Sequence, residues 1–350
     1  MKTRLLGALL ACAFVAPVWA QPSSVVPMTY PTVQGATYKF ERIDDGVYYA
    51  TGGFGSNNTV IINDRDVMLV DTGTTPENTR RFVADVRKIT SKPIRYVVNT
   101  HFHYDHVDGN QIFGPGVQII AHDYVQKAIS TFDVMHREPF LTSQGNAVPA
   151  RIATLRRQSR EERDPLKKAA LARQLATDLD IQRQLRAIRP VAPNVTYSDK
   201  MVIHSGSREI QILFLGRGHT GGDTVVFLPK ERIVVSGDLM ESRLAYMGDA
   251  FFDEWITTLD ALKRLDWDTD LPGHGVPFGD RGLITAYQAY LRDFIAQAAS
   301  LRGQGFSPDE AARRIDLTAH AKAFPQITGI GTDLRGVRRA YAWMDETGRR

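Results

Sequence analysis

Short apolar stretches divide the chain into two successive batches of predicted β-strands, separated by turn residues such as Asp44-Asp45-Gly46. In the first batch, strands are predicted at residues 37–43, 47–51, 59–63, 67–71, 94–99 and 117–121. In the second batch, strands are predicted at residues 209–215, 224–228 and 233–236. All of these strands are short, as is usual in a folded domain.

Helical patterns follow each batch of strands. A helix is predicted over residues 76–89, with Pro76 in its first turn, where proline is well tolerated. After the second batch, helices are predicted at residues 254–265, 283–301 and 308–315. Because strands and helices come in two such batches, the pattern predicts an α/β protein with two sheets packed face to face and helices outside.

A long, charged segment at about residues 130–195 separates the two halves. Its centre, residues 152–188, favours helix, and Leu171, Leu175, Leu179 and Leu185 offer it an apolar stripe. Residues 151–189 contain eleven basic and five acidic side chains. We interpret the segment as a solvated helical insertion. The alternative interpretation is a basic cover over a pocket, or a surface that binds a partner.

The first twenty residues have the plan of a secretory signal peptide. Lys2 and Arg4 precede a short apolar run, and small residues lead up to Ala20. The run is too short to span a bilayer. We therefore expect residues 1–20 to be removed and the protein to be exported, to the periplasm or outside the cell. A lipoprotein-like signal ending at Cys12 is a weaker alternative that also predicts export.

The remaining residues, 21–350, are expected to form a single domain that begins with a tether at residues 21–36 and ends with helices at about 281–350. With 43% hydrophobic and 23% charged residues in 350, the chain is not of the disordered class. The net charge of +4 is too small to indicate a nucleic acid or an anionic membrane as partner. No membrane span is predicted.

The chain's single cysteine, Cys12, lies in the predicted signal. The mature chain would therefore have neither disulfides nor thiolate chemistry, and any metal site must use nitrogen and oxygen ligands. One segment is rich in such ligands: Thr100-His101-Phe102-His103-Tyr104-Asp105-His106 follows a predicted strand. Because side chains at i and i+2 of an extended chain point the same way, His101 and His103 can hold one ion. Asp105 and His106 follow the turn and can face a second ion.

Three further loops each place one ligand-type side chain near glycines. They are Gly218-His219-Thr220-Gly221, Ser236-Gly237-Asp238 and Pro272-Gly273-His274-Gly275. Together with the first segment and with Asp71-Thr72-Gly73, these loops resemble the metallo-β-lactamase superfamily from about residue 38 to about residue 279. The resemblance implies a four-layer αββα sandwich (the metallo-β-lactamase fold), here with a helical insertion, and a dinuclear site at one edge of it.

The resemblance also implies a ligand set and a cofactor, two Zn²⁺ per chain. It assigns His101, His103 and His219 to one ion, and Asp105, His106 and His274 to the other. Asp238 would bridge the two ions. Asp71 would orient a ligand histidine through its free ring nitrogen.

Such a site favours hydrolysis of a small-molecule substrate. Two Zn²⁺ balanced by Asp105, Asp238 and a bridging hydroxide leave a core charge of about +1, which suits a developing oxyanion. The hydroxide would be the nucleophile, and Asp105 would help to orient it. The expected enzyme is an exported zinc-dependent hydrolase that cleaves a small carboxylic derivative: an ester, thioester, lactone or amide.

Three alternatives remain open at the level of sequence. The first is a metallo-β-lactamase that hydrolyses β-lactam antibiotics, although true β-lactamases of the superfamily usually carry Cys or Ser near the place of Asp238. The second is a mononuclear iron enzyme similar to persulfide dioxygenases. The third is a metal-binding or partner-binding module. The oligomeric state is open.

Several other residues are candidates for the walls of the site. The glycine-rich loop around Phe54 is interpreted as a flap or as a plain hairpin turn, and Tyr104 and Tyr246 as substrate contacts or as packing residues. Four histidines are expected to lie outside the ligand set: His122, His136, His204 and His320.

Overall fold

Two β-sheets form the centre of the molecule in a computed structural model that describes residues 28–349. The predicted signal peptide lies outside the described residues. The first sheet consists of β1 (Thr32–Gln34), β2 (Lys39–Asp44), β3 (Val47–Thr51), β4 (Asn58–Ile62), β5 (Val67–Val70), β6 (Ile94–Val98), β7 (Gln118–His122) and β8 (Val195–Tyr197). The second consists of β9 (Lys200–Ser205), β10 (Arg208–Phe214), β11 (Thr224–Leu228), β12 (Ile233–Gly237) and β13 (Thr269–Pro272).

Strand order explains why functional loops gather at one edge. In the first sheet the strands lie side by side in chain order, and the pairs β5–β6, β6–β7 and β7–β8 are parallel. In the second sheet β12 and β13 are also parallel. Parallel neighbours end at the same edge of a sheet, so the loops that follow β5 and β6, or β12 and β13, lie next to each other.

Some of the helices were predicted from the sequence. Most of them lie on the outer faces of the two sheets. They are α1 (Pro76–Ile89), α2 (Tyr104–Val107), α3 (Asp123–Thr131), α4 (Ala147–Glu161), α5 (Pro165–Arg186), α6 (Phe252–Arg264), α7 (Arg281–Gly303), α8 (Pro308–Ala312) and α9 (Leu334–Thr347). Among the described residues, no helix combines the length and the apolar composition that a membrane span needs.

Three apolar clusters hold the layers together. Tyr49, Met68 and Ile212 belong to the cluster that joins strands of the two sheets. On the outer face of the first sheet, Phe82 of α1 packs against residues of β2 and β4–β7. On the outer face of the second sheet, α6, α7, α8 and α9 share a large cluster that includes Trp255. The order helix, sheet, sheet, helix confirms the predicted αββα sandwich.

The inserted segment is a hairpin of two helices, α4 and α5. The predicted continuous helical stretch is broken at Glu162–Asp164, where Asp164 caps α5 and Pro165 occupies its first turn. The ion pair between Arg151 and Asp178 joins the two helices. The base of the hairpin is packed against the domain through Leu185 and Ile188, which share a cluster with Tyr104.

The structure also corrects details of the predicted elements. Thr32–Gln34, expected to lie in a tether, forms the edge strand β1 and pairs with β2. The short strands β8, β9 and β13 and the helix α3 were not predicted, whereas α9 lies in the region predicted to end the chain with helices. Of the predicted leucine stripe, Leu185 is buried, whereas Leu179 is exposed.

Replacement of the buried Asp270 by asparagine is expected to change how stability depends on pH. Burial raises the pKa of Asp270 to about 8. The folded state therefore keeps a proton that the unfolded state, with a pKa near 3.9, releases as the pH rises. At pH values between these two pKa values, the unfolding free energy of the wild-type chain should therefore fall by about 1.4 kcal/mol per pH unit relative to that of Asp270→Asn.

Chemical denaturation at several pH values between 5 and 8, with a chelator present, tests this expectation. Asp268→Asn is the matched control, because Asp268 lies two residues away on the surface in an ion pair with Arg232. Parallel stability curves for wild type and Asp270→Asn would contradict the assignment.

Candidate metal centre

Seven side chains from five segments converge at one edge of the sandwich. His101 and His103 follow β6, Asp238 follows β12, and His274 follows β13. His219 lies in the loop between β10 and β11, whereas α2 supplies Asp105 and His106. Their ligand-type atoms form two groups in which all atoms lie within 4.8 Å of one another: His101, His103, His219 and Asp238 in one, and Asp105, His106 and His274 in the other.

In the first group, three imidazole nitrogens face one another. Nδ1 of His103 lies 3.0 Å from Nε2 of His101 and 3.1 Å from Nε2 of His219. Burial and the neighbouring histidines hold the pKa of His101 well below its usual range, and burial together with His103 lowers the pKa of His219 to about 3. Both rings are therefore neutral at neutral pH, and neutral imidazole is the form that binds metal ions.

In the second group, histidine nitrogens lie close to a carboxylate. Nε2 of His274 lies 3.1 Å from Oδ2 of Asp105, and Nε2 of His106 lies 3.9 Å from the same oxygen. Burial alone would lower the pKa of His274, but Asp238 and Asp105 raise it to about 9. Burial would raise the pKa of Asp105, but His106 and His274 lower it to about 2. The carboxylate is therefore ionised over the whole physiological range.

Asp238 lies between the two groups. Its Oδ2 atom is 3.8 Å from Nε2 of His101 and 3.6 Å from Nε2 of His219. The same oxygen is 3.4 Å from Nε2 of His106 and 3.6 Å from Nε2 of His274. Glycine at position 273 is required here, because a Cβ atom would collide with the Asp238 carboxylate. One carboxylate oxygen thus faces four of the five imidazoles of the two groups.

The donor set fits divalent metal ions. Nε2 of His106 and Oδ1 of Asp238 are buried, and neither has a hydrogen-bond partner within residues 28–349. Unpartnered polar atoms in a protein interior are costly unless something else satisfies them. Imidazole and carboxylate ligands at this spacing are the chemistry that Zn²⁺ prefers, and in this set they can be shared between two ions.

Two carboxylates hold histidines of the two groups in place through close contacts with their ring nitrogens. Asp71, which has a positive φ of 61°, accepts hydrogen bonds from the backbone and hydroxyl of Thr100 and lies 2.7 Å from Nδ1 of His106. Asp249 lies 2.9 Å from Nε2 of His103 and also receives a hydrogen bond from Arg137. Carboxylates in this position set the tautomer and orientation of a ligand histidine.

Asp71 was among the residues expected to orient a histidine, but Asp249 was not. Asp249 lies in a loop that no motif marks, and only the tertiary fold brings it beside His103. Nδ1 of His219 has no hydrogen-bond partner among the described residues. Its ring is instead packed edge-on against Trp255, with centroids 5.6 Å apart.

The remaining histidines lie outside both groups, as expected. His122 caps α3 and lies 2.9 Å from the carbonyl oxygen of Ser198. His136 and His320 are paired with nearby aspartates, and His204 is exposed on β9.

The candidate wall residues differ in their contacts. The backbone of Phe54 is hydrogen-bonded to Asn78 and Thr74, and its side chain packs into the cluster that contains Tyr104. Tyr246 instead lies against the site, with its ring centroid 5.5 Å from that of His103.

Loss of the Asp249 carboxylate is expected to weaken metal binding. In Asp249→Ala the ring of His103 loses its hydrogen-bond acceptor and its fixed orientation, so zinc affinity should fall by about 10- to 100-fold. Competition with a fluorescent zinc chelator measures this affinity. Asp249→Asn, which keeps an acceptor oxygen, should lose less.

A control for this experiment is Asp133→Ala, which breaks an exposed aspartate–histidine pair with His136 at 2.8 Å. Its zinc affinity should equal that of the wild type. Equal affinities of Asp249→Ala and wild type would mean that Asp249 has no part in orienting His103.

Comparison with known proteins identifies the family. The model of the metallo-beta-lactamase superfamily matches residues 51–274. A linear primary-alkylsulfatase from Pseudomonas sp. (strain ATCC 19151) is 26% identical over 294 residues, which is 79% of this chain and 53% of the relative. The type 2 metallo-beta-lactamase of Bacillus cereus is 24% identical over 243 residues, covering 68% of this chain and 73% of the relative.

Solved structures agree on the fold. A stereoselective inverting sec-alkylsulfatase from Pseudomonas sp. superposes with a TM-score of 0.60 at 18% identity, over 88% of this chain and 50% of that one. A metallo-beta-lactamase from Pontibacter korlensis gives 0.52 at 18% identity, over 73% and 99%. The chain thus spans about half the length of these alkylsulfatases. Since the family model covers more than half of its residues and the fold agrees, the chain belongs to the metallo-β-lactamase superfamily.

Proposed function

We propose that this chain is an exported dinuclear zinc hydrolase. The observation that carries the proposal is the position of Asp238, whose Oδ2 atom lies within 3.8 Å of imidazole nitrogens from both groups. In the proposal, His101, His103 and His219 hold one ion, Asp105, His106 and His274 hold the second, and Asp238 is shared. Zinc in such a site lowers the pKa of bound water to about 7 and polarises an oxygen of the substrate.

Of the protein groups in the site, Asp105 is the best placed to accept a hydrogen bond from the attacking water. Its side chain is 15% exposed and that of His274 is 16% exposed, whereas the other side chains of the two groups are at most 6% exposed. Water and substrate therefore enter the site on the side of Asp105 and His274. The low pKa of Asp105 keeps its carboxylate ionised. The carboxylate therefore accepts a hydrogen bond from the attacking water and orients the lone pair of that water.

The proposed substrate is a small carboxylic derivative: an ester, thioester, lactone or amide. Its reaction needs a water nucleophile and a cationic site for the oxyanion, and it needs no nucleophilic side chain. A second candidate is a sulfate ester, favoured by the match of 79% of this chain to an alkylsulfatase. A β-lactam is a third, supported by the Bacillus cereus relative.

Zinc-loaded protein should contain two zinc ions per chain and should hydrolyse at least one member of a panel of aryl esters, lactones, thioesters, alkyl sulfates and nitrocefin. Metal analysis together with initial rates measures both properties. A chelator should abolish turnover, and added zinc should restore it. One iron per chain with oxygen consumption would contradict the proposal in favour of a redox enzyme, and metal without any turnover would favour a binding module.

Asp238→Ala removes the shared carboxylate and should lower kcat by at least about 100-fold, with loss of zinc from the protein. His103→Ala should also lose zinc. Asp133→Ala serves again as the surface control. Full zinc content and full turnover in Asp238→Ala and His103→Ala would exclude the proposed ligand set.

Export rests on the signal-like pattern of residues 1–20. Expression of the full chain in a Gram-negative host should yield periplasmic protein whose N-terminus is Gln21. Recovery of the uncleaved chain from the cytoplasm would contradict export.

A further inference from the structure

The far end of the α4–α5 hairpin projects from the domain. None of residues 156–173, which we call the hairpin tip, is buried, and fifteen of these eighteen residues are exposed. At the other end of the hairpin, Arg183 forms an ion pair of 2.6 Å with Glu77 of α1. The Thr75 hydroxyl donates a hydrogen bond of 2.9 Å to Gln184. The base of the hairpin is therefore fixed to the domain, and the hairpin tip is held out in the solvent.

Positive charge is concentrated in this hairpin. Residues 151–189 contain eleven basic and five acidic side chains and so carry a net charge of +6, whereas the whole chain carries only +4. The remainder of the chain is therefore net negative. Seven basic side chains of the hairpin tip are exposed and make no ion pair or side-chain hydrogen bond within residues 28–349: Arg156, Arg157, Arg160, Arg163, Lys167, Lys168 and Arg173. Their charges are available to an anionic partner.

Two of the three acidic side chains of the hairpin tip bind the backbone of the turn. Asp164 caps α5 and accepts hydrogen bonds from the backbone N–H groups of Leu166 and Lys167. Glu162 accepts hydrogen bonds of 2.8 Å from the backbone N–H groups of Arg163 and Asp164. These carboxylates satisfy the backbone where the two helices meet, and they form no ion pairs with the basic side chains of the hairpin tip.

An apolar side chain lies among these charges. Leu166, in the first turn of α5, is 81% exposed, the highest value among the exposed large hydrophobic residues within residues 28–349. The exposed residues Ala169 and Ala170 extend its apolar surface along the helix. Transfer of such a side chain from water to an apolar phase is favourable. A helix that combines exposed apolar and basic side chains is typical of a segment that lies in the interface of an anionic membrane.

We propose that the hairpin tip docks the protein on the surface of an anionic lipid bilayer. Leu166 enters the headgroup region, and the basic side chains bind lipid phosphates. The association is peripheral and does not depend on the proposed hydrolysis. A nucleic acid would engage the basic side chains, but it would leave Leu166 in water, and the hairpin tip has no aromatic side chain on which a base could stack. A bilayer is complementary to both features.

Co-sedimentation with vesicles tests the proposal. One set of vesicles contains only phosphatidylcholine, and the other contains equal parts of phosphatidylcholine and phosphatidylglycerol. The quantity measured is the ratio of the partition coefficient for the anionic vesicles to that for the neutral vesicles, and any contribution of residues 1–20 is the same in every variant. For the wild type this ratio should be at least about 100 at about 0.1 M salt, and most of it should be lost at about 1 M salt.

The first variant combines Arg163→Gln, Lys167→Gln and Lys168→Gln, and its ratio should be about 30- to 100-fold lower than that of the wild type. The matched control removes three exposed basic side chains without an ion pair from α1 and α6, by combining Arg80→Gln, Arg87→Gln and Arg264→Gln. Its ratio should change by less than about twofold, because these charges lie away from the docked surface.

Leu166→Ala distinguishes a bilayer from other anionic partners. Binding to anionic vesicles should weaken by about 3- to 10-fold, because apolar area no longer enters the headgroup region. A fluorophore sensitive to polarity, attached through Ala169→Cys in a Cys12→Ser background, should shift its emission to shorter wavelength when anionic vesicles are added. The same label attached through Ala84→Cys on the exposed face of α1 should not shift.

Equal partition of the wild type into both kinds of vesicle, or equal ratios for the wild type and the first variant, would overturn the proposal. A loss in the first variant without any loss in Leu166→Ala and without a shift at Ala169→Cys would also overturn it, in favour of an acidic protein as partner. Far-UV circular dichroism verifies that each variant is folded. Because no measurement here needs metal or turnover, failure of the proposed hydrolysis would leave this result unchanged.

Discussion

The need to compensate the buried charge of Asp238 governs the structure of this site. Its carboxylate is taken out of water at the point where loops from both sheets meet, and it needs positive charge close by. His106 and His274 supply that charge, since carboxylates that surround these rings raise their pKa values. Two divalent cations would supply the same charge and would let the histidines bind as neutral ligands.

The fold holds the side chains of the site in place through contacts with neighbouring residues. The parallel pairs β5–β6 and β12–β13 bring Asp71 close to Thr100, and Asp238 close to Gly273. Asp71 and Asp249 then fix two of the rings by hydrogen bonds, and Trp255 packs against a third. A metal centre needs this rigidity, because a small displacement of one ligand lowers affinity for the ion.

Local sequence patterns were sufficient to predict much of the architecture. The helix at Pro76–Ile89 and the strand at Thr224–Leu228 have the predicted bounds, because an N-terminal proline and a continuous apolar run are strong local signals. The strand β13 was missed because it has four residues and includes a buried aspartate, Asp270. The break between α4 and α5 was also missed, although Asp164-Pro165 is a recognisable helix start.

The site could be predicted to the extent that its residues lie in short motifs. The seven ligand-type side chains were found because each group follows a strand or lies between glycines. Asp249 was not found, since what makes it important is its contact with His103, which no local spacing marks. Tertiary structure is needed to see that Asp249 faces His103.

The most direct test of the account is a crystal structure of zinc-loaded protein with anomalous diffraction data collected on both sides of the zinc absorption edge. We predict two zinc peaks about 3.5–4 Å apart. Oδ2 of Asp238 should lie between them, and His101, His103 and His219 should surround one peak while Asp105, His106 and His274 surround the other. A single peak, or zinc bound away from Asp238, would contradict the account.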